Sequence, residues 1–479
     1  MQNAYQQNSI FSAGGLIKIA VLVTIAVLQF SPVKLFAQKK YEANWESIDS
    51  RPIPAWFEDS KFGIFIHWGL YSVPAWAPTG PKIPTYSKYA EWYGWRMQDK
   101  DEVGKLFMKY HTDTYGKDFK YNDFVKDFKA ELFNPDQWAE LLNESGAKYV
   151  VLTSKHHEGF AMWPSQHSWN WNAMDVGPHR DLAGDLIKAV KGKGLRMGFY
   201  YSLYEWFNPL YKADVNRYVD EHMIPQMKDL VTRYNPDLVW TDGEWDHPSE
   251  VWKSTSFLSW LYNESPVKND VVINDRWGKE TRSKHGSFYT TEYDLVHNDN
   301  ASGKMITHPW EECRGIGGSF GYNRNENLED YSSSKEVIQI LIDKVARGGN
   351  LLLNIGPTAD GRIPVIMQQR LKDIGSWLKI NGDAIYNTRA WENSPAVKKE
   401  TTLFFSKKGS DLYAMLTDWS SKPIVISNVK KPVSVELMGY KGKVNFTYDG
   451  GKLTITPPSL SPDLNPSQFA WAFKLNNAL

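Results

Sequence analysis

The chain contains the stretch Leu238-Val239-Trp240-Thr241-Asp242-Gly243-Glu244-Trp245, a short apolar strand that ends in a carboxylate followed by glycine. A parallel barrel places its catalytic groups at the carboxyl ends of its strands. An acid at such an end, two residues after an aromatic side chain, suits a nucleophile in a sugar pocket. Because Asp-Gly is also a common turn pair, this stretch alone leaves a structural role for Asp242 open.

Similar apolar segments recur along the chain and alternate with helical ones. Asn134-Pro135, for example, is a cap followed by proline at the first helical position. Continuous apolar strands joined by helices indicate a parallel sheet that is buried on both faces. Eight such units predict an α/β fold with a (β/α)₈-like barrel over residues 38–388. The predicted strands are 63–67, 149–153, 196–201, 238–241, 271–274, 287–291, 310–313 and 351–355.

The pattern changes after the barrel. Short strands are predicted at 403–406, 412–416, 424–426, 433–437, 444–447 and 453–456, and turn residues such as Asp449-Gly450-Gly451 separate them. This spacing predicts a small C-terminal β-sandwich over residues 389–479.

Composition narrows the classes of partner. Lys and Arg together number 55, as do Asp and Glu, so the formal net charge is zero. This balance argues against nucleic acid or an anionic membrane as the main partner. The 21 Trp residues exceed what a core needs and favour stacking faces for sugar rings. The single cysteine, Cys313, excludes an intrachain disulfide and is interpreted as a packing residue.

The N-terminal region predicts export. An apolar run at residues 16–30 is followed by Ser31-Pro32 and by Ala37, the order expected of a secretory signal peptide over residues 1–37. A retained N-terminal anchor is the alternative. After cleavage we expect a protein without a membrane segment, periplasmic or secreted, or lysosomal if the source is eukaryotic.

Polar side chains follow six consecutive predicted strands: His67, His156-His157, Tyr201, Asp242, Arg276 and Glu292. A metal-dependent hydrolase using His67, His156 and His157 is one hypothesis. However, adjacent strand residues point in opposite directions, and the helical H-x-x-x-H spacing is missing. Hydrogen bonding to ligand hydroxyls suits these groups better, so we predict neither a metal nor a cofactor.

Several of these motifs resemble the α-L-fucosidases of glycoside hydrolase family 29. They are His67-Trp68-Gly69, residues 154–164, residues 240–245, residues 274–278 and residues 354–361, and the similarity spans residues 45–386. The resemblance implies a retaining exo-hydrolase of fucosylated oligosaccharides or glycoconjugates, with Asp242 as nucleophile. It also implies a set of fucose-binding residues: His67, Glu91, Trp95, His156, His157, Tyr201, Trp240, Arg276 and Phe320.

The resemblance leaves several candidates for the general acid/base. Glu292 is the first choice, and some animal members use the next position, which is Tyr293 here. Asp294, Glu311 and Glu312 remain open. A catalytically silent carbohydrate-binding protein on the same barrel is the alternative function, and a homo-oligomer is left open.

Overall fold

The computed structural model describes residues 39–294, 308–398 and 400–479. The predicted signal peptide, residues 1–37, therefore lies outside the described residues. Of the helices in the described part, none combines the length and the apolar character needed to cross a membrane.

The first part of the chain forms the predicted barrel-type sheet, and the described residues place eight parallel strands in it. The order is β5-β4-β3-β2-β1-β8-β7-β6, so β5 and β6 stand at the two ends of the curled sheet. Each of the eight predicted strands is confirmed to within a few residues. Their bounds are β1 Phe62–Ile66, β2 Tyr149–Lys155, β3 Arg196–Ser202, β4 Leu238–Asp242, β5 Val272–Ile273, β6 Tyr289–Glu292, β7 Trp310–Gly315 and β8 Asn350–Ile355.

Helices connect the strands and begin where the sequence supplies caps. The side chain of Asn134 accepts from the backbone N–H groups of Asp136 and Gln137, both at 3.1 Å, and Pro135 occupies the first turn. The described α-helices are α1 Trp45–Asp49, α2 Ala55–Ser60, α3 Tyr93–Arg96, α4 Glu102–Tyr115, α5 Pro135–Glu144, α6 Leu182–Gly192, α7 Pro209–Ala213, α8 Val215–Tyr218, α9 Ile224–Tyr234, α10 Ser254–Asn263, α11 Ser334–Ala346 and α12 Val365–Asn381. Short 3₁₀ turns cover Leu70–Ser72, Thr85–Ser87, Ala90–Trp92, Tyr121–Lys126, Leu328–Asp330, Gly382–Ala384 and Pro462–Leu464.

A π-helical segment, Val219–Met223, joins α8 to α9. The sequence predicts one helix over residues 215–234, and the structure continues it through Pro225 by this local widening. Proline lacks the backbone N–H that an α-helix needs, and a π-turn absorbs such an interruption without ending the helix.

The two faces of the curled sheet carry different side chains. Phe65, Tyr149, Tyr200 and Trp240 point inward and pack together. Their neighbours along the strands, such as Phe199, point outward into the layer between strands and helices. This alternation follows from the two-residue period of a strand, and it decides which polar residues reach the pocket.

The C-terminal part forms two antiparallel sheets, with orders β13-β16-β11-β10-β9 and β12-β15-β14. The six strands predicted here are confirmed as β10 Leu403–Lys408, β11 Asp411–Leu416, β12 Ile424–Ser427, β13 Ser434–Leu437, β14 Asn445–Asp449 and β15 Lys452–Thr456. Two more, β9 Arg389–Ala390 and β16 Trp471–Asn476, were not predicted. The Nε1 of Trp377 on α12 donates to the carbonyl of Ala470 at 2.9 Å, which ties this part to the barrel.

Candidate active site

Asp242 ends β4 and lines a pocket at the carboxyl end of the sheet. Its Oδ1 accepts from Arg276 Nη1 at 2.8 Å, and its Oδ2 accepts from the Tyr200 hydroxyl at 3.0 Å. Arg282 Nη2 lies 3.7 Å from Oδ1. Burial alone would raise the pKa of Asp242, but Arg276 and Arg282 hold that pKa well below its usual range. The carboxylate is therefore ionised.

The residue after Asp242 must be glycine. Gly243 has a φ of 75°, and a Cβ there would lie 2.6 Å from the Cβ of Tyr204. The chain therefore turns sharply after β4, so the Asp242 carboxylate stands at the strand tip.

Glu292 ends β6 and faces the same pocket. Its Oε1 accepts from the Tyr89 hydroxyl at 2.9 Å, and its Oε2 lies 3.3 Å from Arg276 Nη2. Arg276 is held in turn by Thr290, which accepts from its Nε at 3.0 Å, and by stacking over Trp240 with 4.4 Å to the ring centroid. One guanidinium therefore contacts both carboxylates.

The other three acid candidates do not line this pocket. Glu311 is fully buried below it and accepts from Tyr149 at 2.5 Å and from Trp240 Nε1 at 3.0 Å. Glu312 accepts from Arg314 at 2.5 Å. Asp294 pairs with Lys344 at 2.6 Å and with Arg314 at 2.8 Å. The hydroxyl of Tyr293 donates to the carbonyl of Gly317 at 3.2 Å.

His67 presents an acceptor to the pocket. Asn354 Nδ2 donates to the carbonyl of Phe320 at 2.6 Å, so its Oδ1 must face His67 Nδ1, 2.7 Å away. His67 therefore carries its proton on Nδ1. Burial, with the neighbouring His156, lowers the pKa of His67 to about 3. The ring stays neutral, and Nε2 keeps a free lone pair.

His156 and His157 follow β2 and lie side by side, with ring centroids 4.1 Å apart. His156 lines the pocket, and its Nδ1 lies 3.5 Å from Glu158 Oε2. The Nδ1 of His157 contacts Ser202 Oγ at 2.6 Å, while its Nε2 lies 3.7 Å from Asp242 Oδ2. Within the described residues no three His, Cys, Asp or Glu side chains are grouped as metal ligands would be.

Glu91 and Phe320 complete the inner wall. Glu91 Oε2 accepts from the backbone N–H of Gly321 at 2.8 Å and lies 3.3 Å from Ser319 Oγ. Burial raises the pKa of Glu91. Phe320 packs against Phe65 and His67, with centroids 6.5 and 4.9 Å apart. One side of the pocket is therefore polar and the other aromatic.

Two of the site residues expected from the sequence lie elsewhere. Tyr201 points to the outer layer, where its hydroxyl donates to Gln226 at 2.8 Å. Its neighbour Tyr200 takes the inward position, because side chains alternate along β3. Trp95 packs on Tyr204 and Trp206, while Trp92 lines the pocket.

The sequence matches two known protein families. The family described as alpha-L-fucosidase matches residues 28–383, and the alpha-L-fucosidase C-terminal domain matches residues 397–476. This chain belongs to the α-L-fucosidase family.

Individual α-L-fucosidases agree with this assignment over most of their length. The tissue alpha-L-fucosidase of Homo sapiens is 43% identical over 450 residues, which are 91% of this chain and 92% of that protein. The alpha-L-fucosidase of Dictyostelium discoideum is 42% identical over 464 residues, 93% of this chain and 97% of that protein. The crystal structure of the Thermotoga maritima alpha-fucosidase with a mechanism-based inhibitor has a TM-score of 0.77 and 36% identity, and it covers 91% of this chain and 99% of that one. The chain is thus a glycoside hydrolase that acts on terminal α-L-fucose.

The pocket of this α-L-fucosidase opens outward into a vestibule of about 310 Å³. Asp242, Arg276 and Glu292 lie at the junction between the two spaces. The vestibule walls add side chains that sequence reasoning did not identify: Tyr86, Trp92, Arg96, Trp245 and Arg282. Trp245 is the last residue of the recognised motif at residues 240–245, and Trp92 lies between the expected site residues Glu91 and Trp95, so their place in the sequence was a usable signal.

Proposed function

We propose that this α-L-fucosidase retains configuration and works by double displacement, with Asp242 as nucleophile and Glu292 as general acid/base. The contact of Arg276 with both carboxylates carries this proposal. Two carboxylates that share one guanidinium support the short separation of retaining glycosidases, about 5–5.5 Å, rather than the roughly 6.5–9.5 Å of inverting ones.

In the first step an Asp242 oxygen attacks the anomeric carbon and forms a covalent fucosyl ester. The bond from the anomeric carbon to the glycosidic oxygen breaks, and Glu292 gives its proton to that oxygen. In the second step water attacks the anomeric carbon, Glu292 takes the proton from that water, and Asp242 leaves as a carboxylate. Arg276 contacts both groups throughout and keeps the nucleophile ionised between turnovers.

The polar and apolar sides of the inner pocket match the two sides of fucose. The free lone pair of His67 Nε2 accepts a hydrogen bond from one ring hydroxyl of fucose. His156 and Glu91 form hydrogen bonds with the other ring hydroxyls. The methyl group of fucose, which replaces a hydroxymethyl, packs against Phe65 and Phe320. Because buried side chains close the inner end, the pocket favours a terminal fucose of an oligosaccharide or glycoconjugate, whose remaining sugars extend into the vestibule.

The stereochemical course tests the proposal. Hydrolysis of an aryl α-L-fucoside is followed by proton NMR at early times, before the product mutarotates. We expect α-L-fucose first. Initial β-L-fucose would show direct attack by water and would remove the covalent role of Asp242. A fluorinated fucoside that traps the intermediate should label Asp242, as peptide mass spectrometry would show.

We also propose that the chain is exported by cleavage of residues 1–37. The apolar run at residues 16–30 supports this, as do relatives named tissue and plasma alpha-L-fucosidases. N-terminal sequencing of the mature protein should begin near Gln38. An uncut chain in the membrane fraction would favour the anchor. The possible homo-oligomer and the lack of a metal or cofactor remain predictions.

A further inference from the structure

A second cleft lies beside the catalytic pocket, on the loops that follow β2 and β3. Its volume is about 510 Å³. Trp169 at its edge has 80% of its surface exposed, far more than the other tryptophans in the described residues. Trp171 and Phe207 are half-buried and line the same space. We call this the Trp169 cleft.

The loop that carries Trp169 is held in place by buried hydrogen bonds. Asn172 is buried, and its side-chain amide donates to the carbonyl of Ser168 at 2.9 Å and to Asp175 at 2.7 Å. The side chain of Gln226 on α9 donates to the hydroxyls of Ser165 and Ser168 at 2.8 and 2.7 Å. A loop fixed in this way keeps the indole exposed, so the aromatic surface is pre-organised for a ligand.

Some polar groups that line the cleft are available for hydrogen bonds to a ligand. Glu205 at its floor is already satisfied by Lys155, by Asn208 at 2.8 Å and by His222 at 3.1 Å. By contrast, neither the His167 ring nor Trp169 Nε1 hydrogen-bonds to another of the described residues. Burial and the nearby His222 lower the pKa of His167, so its neutral ring both donates and accepts.

The cleft adjoins the catalytic site through one aromatic side chain. Trp206 is buried, with its centroid 5.3 Å from that of Trp92, which lines the catalytic pocket. On the cleft side its centroid is 6.2 Å from that of Phe207. The two spaces therefore lie near each other at the same end of the barrel, with Trp206 packed between a residue that lines one and a residue that lines the other.

We propose that the Trp169 cleft is a second carbohydrate-binding site, which holds a neutral pyranose unit of a glycan away from the scissile fucose. Trp169 supplies a face on which the apolar side of a sugar ring stacks. His167 and Trp169 Nε1 supply uncharged hydrogen-bond groups, and the carboxylate of Glu158 disfavours an anionic sugar. The site goes beyond the proposed function, because it binds sugars that carry no fucose.

Binding of fucose-free oligosaccharides tests the site without depending on catalysis. The full-length protein is titrated with cellotetraose and with lacto-N-neotetraose, with L-fucose present at saturation, and binding is followed by calorimetry and saturation-transfer NMR. We expect millimolar binding of at least one tetrasaccharide, its loss in W169A and its retention in W169Y, which keeps an aromatic face. Binding that W169A leaves unchanged, or no binding to the wild type, would overturn the site. If W245A abolishes binding and W169A does not, the sugar lies in the vestibule and the proposal is equally wrong.

Turnover gives a second readout. W169A should keep the wild-type kcat/KM on a small aryl α-L-fucoside, which is too short to reach the cleft. On a large branched fucosylated glycan we expect kcat/KM to fall several-fold through a higher KM, with kcat unchanged. An equal loss on both substrates would mean that Trp169 acts on the catalytic pocket and would contradict a separate site.

Discussion

Tyr200 and Tyr201 are adjacent on β3, identical in type and both fully buried, yet they serve different parts of the molecule. The hydroxyl of Tyr200 donates to Asp242, the proposed nucleophile, at 3.0 Å. That of Tyr201 donates to Gln226 on α9 at 2.8 Å, in the layer between strand and helix. Glu311 and Glu312 repeat the contrast on β7, one below the pocket and one paired with Arg314. The face of the strand, and not the residue type, decides whether a side chain points inside the curled sheet or into its outer layer.

The largest effect is expected at Asp242, the proposed nucleophile. Asp242→Ala should fold normally and lose activity by a factor on the order of 10⁴ or more, as removal of a nucleophile does. Azide should restore part of the turnover by entering the vacated space, and should give the β-fucosyl azide. Steady-state kinetics with product NMR measures both results.

Asp237, just before the same strand, is the matched control for Asp242. It pairs with Arg196 at 2.9 Å and with Lys191 at 3.2 Å, away from the pocket. Asp237→Ala should lower the melting temperature and leave kcat close to that of the wild type. Near-normal rates in Asp242→Ala would contradict its assignment.

The next largest effect is expected for Glu292, the proposed general acid/base. A general acid matters most when the leaving group is poor, because a good leaving group departs without a proton. Glu292→Ala should therefore lose about 10²–10⁴-fold on a fucosyl-oligosaccharide and much less on an aryl fucoside with an acidic phenol. The ratio of kcat/KM on the aryl fucoside to kcat/KM on the oligosaccharide, measured for the same variant, gives the dependence on the leaving group.

Glu312→Ala and Asp294→Ala are the controls for Glu292→Ala. Both carboxylates pair with cations outside the pocket, so their loss should affect the two substrates equally. If either of them showed the leaving-group dependence while Glu292→Ala did not, the acid/base role would move to that residue.

A pair of Tyr→Phe variants tests the two faces of β3 directly. Tyr200→Phe removes a hydrogen bond to the ionised Asp242, so kcat/KM should fall about 10–100-fold with little change in melting temperature. Tyr201→Phe leaves Gln226 Oε1 without its partner and should cost about 1–3 kcal/mol of stability with kcat unchanged. The reverse pattern would return the place in the pocket to Tyr201, as the sequence predicted for a fucose-binding residue.

The sequence was sufficient to predict where the strands lie, but not which of their side chains point into the curled sheet. Apolar runs bounded by caps and turns mark all eight strands, and the carboxyl-terminal positions of Asp242 and Glu292 follow from them. That Tyr200 lies beside Trp240 depends on the register between β3 and β4, which is a tertiary property. With that register, the inward position of Trp240 makes Tyr200 inward as well.

Loop-borne residues were harder to predict for a related reason. Trp92 ends a 3₁₀ turn and Trp95 lies in the short helix α3 that follows, and no periodic pattern fixes which of them faces the pocket. Arg282 lies close to Asp242 only in the folded chain, and nothing in its local sequence indicates that contact. The unpredicted strand β16, by contrast, had a usable signal, because Trp471, Phe473 and Leu475 alternate with less apolar residues.

The smallest effect on turnover is expected at Glu311, which lies below the pocket and pairs directly with no cation among the described residues. Burial raises its pKa to about 7, whereas an unfolded glutamate titrates near ~4.3. At a pH between these two pKa values, Glu311 is protonated in the folded state and ionised in the unfolded state. The free energy of unfolding therefore falls as the pH rises from the unfolded pKa to the folded one.

Glu311→Gln should remove that fall in stability. Glutamine does not ionise, its oxygen can accept from Trp240 Nε1, and its amide can donate to the Tyr149 oxygen, so both buried contacts survive. We expect an unchanged melting temperature at pH 4 and, at pH 8, a gain equivalent to about 3–4 kcal/mol, measured by calorimetry at one scan rate. Glu312→Gln is the matched control: it weakens the pairing with Arg314 and should lower the melting temperature at both pH values. A loss of stability in Glu311→Gln at pH 8 would mean that the nearby Arg276 charge outweighs burial, and that Glu311 is ionised in the folded protein.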